Sequence, residues 1–190
     1  MNPMNASYIA KPLGRHQIDQ AFPVVQTLVP ELDIDRWRAY ALLMLGNEAA
    51  APAPDIELFQ CSILPTRGIV TVQNDHDYIH GLFSYRRIES LRHGTLLFVE
   101  NFIVVDLFRQ RESADTLLQA IDHVAGVLKC GAIHTGLPDN YDNLPAYCSW
   151  VLDCFRAAGH SVETLVLCKQ NRPAAGAPTS NTPKVVIPIS

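Results

Sequence analysis

Over residues 96–137 the chain reads as an apolar strand (LLFVENFIVV), a polar elbow with two arginines (DLFRQRES), an amphipathic helix (ADTLLQAIDHVAGVLK) and a second strand (GAIHTGL). Ala114, Leu117, Leu118, Ile121, Val124, Ala125 and Leu128 recur at steps of three and four, which predicts a helix whose single apolar stripe packs on a sheet. In the preceding strand Leu96, Phe98, Glu100, Phe102 and Val104 alternate with Leu97, Val99, Asn101, Ile103 and Val105. Both faces are apolar, so this strand is expected at the centre of its sheet. A helix starting near Ser113 turns its unpaired N–H groups and the positive end of its dipole toward the elbow, where Arg109 and Arg111 add charge. An anionic group is the natural guest there.

The pattern predicts further elements on either side. They are a strand over 7–11, a helix through Ile18, Ala21, Phe22, Val25 and Leu28 kinked at Pro23, and a second helix. That second helix is capped by Asp33 and packed through Ile34, Trp37, Ala41, Met44 and Leu45. The Ala-Pro run 49–54 is a loop, and 56–64 fits either an extra strand or an irregular insertion. Residues 69–73 and 78–86 form a hairpin around the polar turn Asn74-Asp75-His76-Asp77. Later come a strand over 132–137, a loop, a helix over 149–158 and a strand over 162–169. A tail rich in Pro, Ala and Ser follows, with a last strand available at 184–189.

A chain of 190 residues with 48% apolar content buries one core, so one domain is expected over 1–170, followed by the tail at 171–190. A net charge of −4 argues against nucleic acid as a partner. The amino-terminal residues carry no charged-then-apolar leader pattern and no uninterrupted apolar run spans a bilayer, so no membrane partner and a cytoplasmic location are expected. Five cysteines, Cys61, Cys130, Cys148, Cys154 and Cys168, lack CxxC spacing and read as reduced thiols. No catalytic signature surrounds Cys148 or Cys154. His76 and His80, beside Asp75 and Asp77, read as solvated hairpin groups, and no metal is expected.

The run Val104-Val105-Asp106-Leu107-Phe108-Arg109-Gln110-Arg111-Glu112-Ser113-Ala114 resembles the acetyl-CoA pyrophosphate loop of the GNAT N-acetyltransferases, a Gln/Arg-x-x-Gly-x-Gly/Ala signature running into a leucine-rich helix. In the same order, residues 21–30 (AFPVVQTLVP) are similar to that family's first helix, Ile79-His80-Gly81-Leu82-Phe83-Ser84-Tyr85 to its third strand, and Ala158-Gly159 to the end of its fourth helix. The resemblance covers roughly residues 6–170 and implies an α/β (α+β) fold. Its sheet is mixed, mostly antiparallel, and flanked by helices, with a strand-loop-helix-strand unit for acetyl-CoA. Two positions depart from the pattern. Glu112 stands where the loop has glycine, and Phe155 where many members have a tyrosine that protonates the departing thiolate.

The implied function is acetyl transfer from acetyl-CoA, a co-substrate, to a primary amine of a small molecule or peptide. The alternative is a non-catalytic binding or regulatory module of the same fold with a decayed CoA site. The implied cofactor contacts are Phe102, Ile103 and Val104 on the strand, then Arg109, Gln110, Arg111, Glu112, Ser113 and Ala114 at the elbow. Glu100 is the candidate base, with an ion pair to Arg86 or Arg87 as its other reading, and His134 is the second candidate. Tyr141 and Tyr147, read as lying in the loop before the last helix, are candidates for the missing acid. Glu31, Asp33 and Asp35, between the first two helices, would suit a cationic acceptor, and an edge at 185–189 offers a homodimer contact.

Overall fold

The computed structural model describes residues 8–46, 57–105, 110–137 and 145–163. Its five-stranded sheet runs in the order β1 (Ile9–Pro12), β2 (Arg67–Gln73), β3 (Ile79–Ser90), β4 (Gly94–Val104) and β5 (Ala132–Thr135). The first four strands are mutually antiparallel and β5 is parallel to β4. A parallel neighbour requires a crossover, which is supplied by the helix α3 (Gln110–Val127). Helices α1 (Ile18–Leu28) and α2 (Ile34–Leu45) cover one face of the sheet. The other face is covered by α3 and α4 (Pro145–Ala157). No helix among the described residues is long and apolar enough to cross a membrane.

Each face has its own core. Of the stripe anticipated for α3, Ala114, Leu117, Leu118, Ile121, Val124 and Ala125 are buried in one core with Val70, Val72, Phe83, Leu97 and Val99, and Leu128 is partly buried at its edge. Opposite them Ile18, Ala21, Val24 and Val25 of α1 and Trp37, Ala41 and Met44 of α2 pack on Ile69, Leu82 and Ile103. The Asp33 carboxylate accepts the Arg36 N–H at 2.7 Å and caps α2 as expected. The β2–β3 hairpin closes on Asn74, whose Oδ1 accepts the N–H groups of His76 at 3.0 Å and Tyr78 at 3.1 Å.

Several boundaries differ from the sequence reading, among them that β3 runs on to Ser90 rather than ending at 86. The helix α3 begins at Gln110, before Ser113, because Gln, Arg and Glu are all good helix formers and Glu112 suits a first turn. Likewise α4 begins at Pro145, a favoured first-turn residue, ahead of 149. Of the two alternatives for 56–64, the described part, 57–64, has no strand and is irregular, with a short 3-10 turn at 58–60 that buries Leu58. And β5 stops at Thr135, short of 137. Of the strand expected over 162–169, residues 162 and 163 are not in a strand and the rest, like the tail and 184–189, lie outside the described residues.

Two backbone positions make the packing testable. A Cβ at Gly81 would stand 2.5 Å from the Ile103 carbonyl oxygen, inside the β3–β4 ladder. Lys129 ends α3 in the left-handed region at φ +54, where α4 ends with Gly159 at φ +91. Gly81→Ala is therefore expected to lower unfolding free energy by about 2 kcal/mol. Lys129→Gly is expected to raise it by about 1 kcal/mol. Urea unfolding measures both, and a neutral Gly81→Ala or a destabilising Lys129→Gly contradicts the packing described.

Candidate functional site

The site grows from an irregularity in β4. Leu82 pairs with Ile103 but Ser84 pairs with Glu100, so Asn101 and Phe102 together oppose the single residue Phe83. This is a β-bulge, and Asn101 adopts φ +54 within it. The extra residue reverses the alternation of side chains. Leu97 and Val99 face α3 before the bulge, and Phe102 and Val104 face it afterwards, while Ile103 faces α1 and α2. The strict alternation expected from the sequence, with Phe98, Glu100 and Phe102 on one face, is thus broken at 101.

Polar side chains hold the bulge in place. The Asn101 Nδ2 donates to the Tyr40 hydroxyl at 3.1 Å and to Ser84 Oγ at 3.0 Å. Tyr40 donates in turn to Ser84 Oγ at 2.8 Å, and Ser84 donates to the Glu100 carbonyl at 3.1 Å. Burial pushes the Tyr40 phenol above its ordinary range, so the hydroxyl keeps its proton at neutral pH. The network ties α2, β3 and the bulge together.

Beyond the bulge β4 parts from β5. The parallel ladder ends at Val99 paired with Thr135, and Gly136 adds one last bond to the Val99 carbonyl at 2.9 Å. β4 itself continues to Val104, from which residues 105–109 lead to the first turn of α3. The first turn of that helix, which begins at Gln110, carries the positive end of its dipole. Arg111 and Glu112 are exposed at this end, whereas the Ser113 and Ala114 side chains are fully buried. An anion here would meet Ser113 and Ala114 through the backbone. Arg109 and the Gln110 side chain lie outside the described residues.

No family model and no curated protein matches the chain. Solved structures do. An aminoglycoside N-acetyltransferase in complex with CoA superposes with a TM-score of 0.62 at 14% identity, over 90% of this chain and 100% of that one. An aminoglycoside 6'-N-acetyltransferase from Acinetobacter baumannii gives 0.61 at 14% identity, over 88% and 100%. Glucosamine-6-phosphate N-acetyltransferase from Arabidopsis thaliana gives 0.57 at 11% identity, over 87% and 99%. The chain has the GNAT acetyltransferase fold. At these identities the likeness is one of architecture.

Within this GNAT fold the candidates divide. Glu100 stands next to the bulge with 40% of its side chain exposed, and its Oε1 is 3.7 Å from Arg86 Nη2. Arg86 also lies 4.9 Å above the Phe98 ring. Glu100 keeps Phe98 as a neighbour on its face, but the bulge sends Phe102, expected on that same face, to the other one. Phe155 is 4% exposed and meets Phe102 edge to face at 4.8 Å, as a core residue. The position of Tyr147 is corrected: it lies in the first turns of α4, not in a loop before it, with its side chain outside the described part. Tyr141 lies outside the described residues altogether.

His134 pairs with Phe98 in the β4–β5 ladder, two residues before Glu100. Its Nε2 lies 3.0 Å from Glu163, whose carboxyl is held down to about 2, first by a hydrogen bond from Arg92 and against the opposing effect of burial, with His134 and His93 adding to it. The acidic loop is also largely spoken for. Asp33 caps α2, and Asp35 pairs at 3.2 Å with Arg38, which in turn grips both oxygens of Asp19. Burial pushes the thiols of Cys61, Cys130 and Cys154 up, which leaves them poor nucleophiles.

Sequence reasoning missed Tyr40 and Ser84. Its one available clue was Asn101, a poor strand former that tolerates the left-handed region, in the middle of an apolar strand. Tyr40→Phe removes one donor and one acceptor from a nearly buried cluster and is expected to cost about 1–2 kcal/mol in thermal unfolding. A variant as stable as the parent would mean that the bulge is held by other contacts.

Proposed function

We propose that this chain transfers an acetyl group from acetyl-CoA to a primary amine of a small molecule or peptide. The observation that carries the reading is the course of β4, which bulges at Asn101, outruns β5 beyond Val99 and leads into the N-terminus of α3. A gap between two strands suits an extended arm lined by backbone amides, and a helix N-terminus suits a pyrophosphate at the end of that arm. The Glu112 side chain is exposed in the first turn of α3 and does not enter the core beneath it. Similarity in fold to an acetyltransferase that holds CoA supports the same reading.

Acetyl-CoA would bring an acyl thioester, and the residues of the chain would position and polarise it. In this reading the backbone amides of Phe102, Ile103 and Val104 line the arm and polarise the carbonyl. The first turn of α3, with Gln110, Arg111 and Glu112 ahead of the buried Ser113 and Ala114, frames the pyrophosphate through the positive end of its dipole, and Arg109 and Arg111 add positive charge. Glu100 takes the proton from the incoming ammonium, directly or through one water. The acceptor approaches from the side of Tyr40 and α2, and the relatives' aminoglycoside and glucosamine-6-phosphate substrates make an amino sugar a reasonable first class to screen. Phe155 has no proton to give, so Tyr147 or Tyr141 is the proposed acid.

Phe155 also favours a second reading, in which the fold is kept as a binding module without chemistry. Two substitutions separate the readings. Glu112→Gly removes a negative charge that competes for the helix dipole and is expected to tighten acetyl-CoA binding about tenfold by calorimetry. Glu100→Gln is expected to leave that affinity within about twofold while lowering kcat about 100-fold. Absence of binding heat in both parent and Glu112→Gly at millimolar acetyl-CoA would favour the module, and an undiminished kcat in Glu100→Gln would remove Glu100 as the base.

A further inference from the structure

Among the described residues one group of metal-ligating side chains closes on itself at the opposite end of β4 from the groove. It comprises His93 in the β3–β4 turn, His134 on β5 and Glu163 beyond α4, with donor atoms all within 4.8 Å of one another. The Nε2 atoms of His134 and His93 lie 3.0 Å and 3.1 Å from the same oxygen, Glu163 Oε2. The other oxygen, Oε1, accepts a hydrogen bond from Arg92 at 2.7 Å and lies 3.1 Å from His93 Nε2. The imidazoles meet edge to face at 5.2 Å, a packing that aims both Nε2 atoms at one carboxylate. All three side chains are partly shielded, with exposures of 25%, 26% and 33%.

The geometry points to a divalent-cation site of the zinc type, with His93 Nε2, His134 Nε2 and Glu163 Oε2 as ligands and Arg92 orienting the carboxylate through Oε1. Two imidazoles and a carboxylate form a donor set that zinc accepts, with a fourth position for water. Tetrahedral zinc, at bond lengths of about 2.0–2.1 Å, holds its donors about 3.3 Å apart. The N···O separations of 3.0 and 3.1 Å open by a few tenths of an ångström to admit the ion, and the two Nε2 atoms, within 4.8 Å of each other, close toward the same spacing. With its proton on Nδ1, each neutral imidazole presents the Nε2 lone pair, and the ionised carboxylate supplies the charge. Arg92 takes the oxygen that the ion does not need, a hydrogen bond of the kind that fixes a ligating carboxylate.

The ligands come from three separate parts of the chain, so the cation acts as a cross-link. It ties the β3–β4 turn and β5 to the segment that leaves α4, at the end of the sheet away from the bulge. A ligand of this kind binds the folded state and raises its melting temperature. This site is independent of the acetyl-transfer reading, since His93 precedes Gly94, where β4 begins, and the groove opens beyond Val99.

Zinc chloride titrated into the full chain tests the site by calorimetry, with thermal melting before and after chelation. One zinc per chain at micromolar affinity or tighter is expected, with a rise in melting temperature that EDTA reverses. His134→Gln and Glu163→Gln each keep a hydrogen-bonding side chain, and each should weaken zinc at least about tenfold while melting as a folded protein without metal. Arg92→Gln should keep the stoichiometry of one. No heat at about 100 μM zinc would reduce the cluster to histidine–glutamate ion pairs and overturn the inference. Unchanged binding in the His93→Gln/His134→Gln double variant would assign the zinc to the thiols and overturn it equally.

Discussion

One inserted residue in β4 governs the rest of the molecule. With Asn101 and Phe102 opposing Phe83, the strand turns its later side chains to faces that its earlier ones do not use. Leu97, Val99, Phe102 and Val104 can then all serve the α3 core, and Ile103 the α1–α2 core. A left-handed Asn costs on the order of 1 kcal/mol. The hydrogen bonds of Asn101 to Tyr40 and Ser84, each contributing about 1 kcal/mol, offset it. Gly81, with no Cβ, lets the Ile103 carbonyl approach closely on the same stretch. Bulges bend a strand and increase its twist, and here the bent strand is the one that outruns β5.

The helix that follows inherits its position from that bend. Its stripe from Ala114 to Ala125 is buried against the sheet, which fixes the rotation of α3 and aims its first turn at the end of β4. Glu112 is exposed in that first turn, where an acid stabilises the helix electrostatically whatever else binds there. It replaces a glycine of the loop signature without turning into the core. Phe155 is the opposite case. It packs edge to face on Phe102 and belongs to the core under the bulged strand.

How much could be read from the sequence depended on whether a feature repeats. The stripe of α3, the Asp33 cap and the Asn74 hairpin are periodic or local, and each was legible from neighbouring residues. The bulge is a single insertion that period-two reasoning cannot see, and it moves Phe102 and Val104 off the face they were expected to share with Phe98 and Glu100. Helix starts were placed late because Gln110 and Pro145 are first-turn residues whose apolar periodicity begins only a turn later. Tyr40, Ser84 and Asn101 are far apart in sequence and meet only when α2 packs on the sheet. The same holds for His93, His134 and Glu163, whose convergence comes from chain topology and left no spacing to read.

The account stands on the claim that the outrun end of β4 and the first turn of α3 form one ligand groove. Backbone amide chemical shifts of the labelled chain, followed by NMR as CoA is added, test it most directly. The account predicts saturable shifts concentrated at Phe102–Val104 and Gln110–Ser113, with little change at β1 or the β2–β3 turn. Shifts that avoid both segments, or none at millimolar CoA, would contradict it.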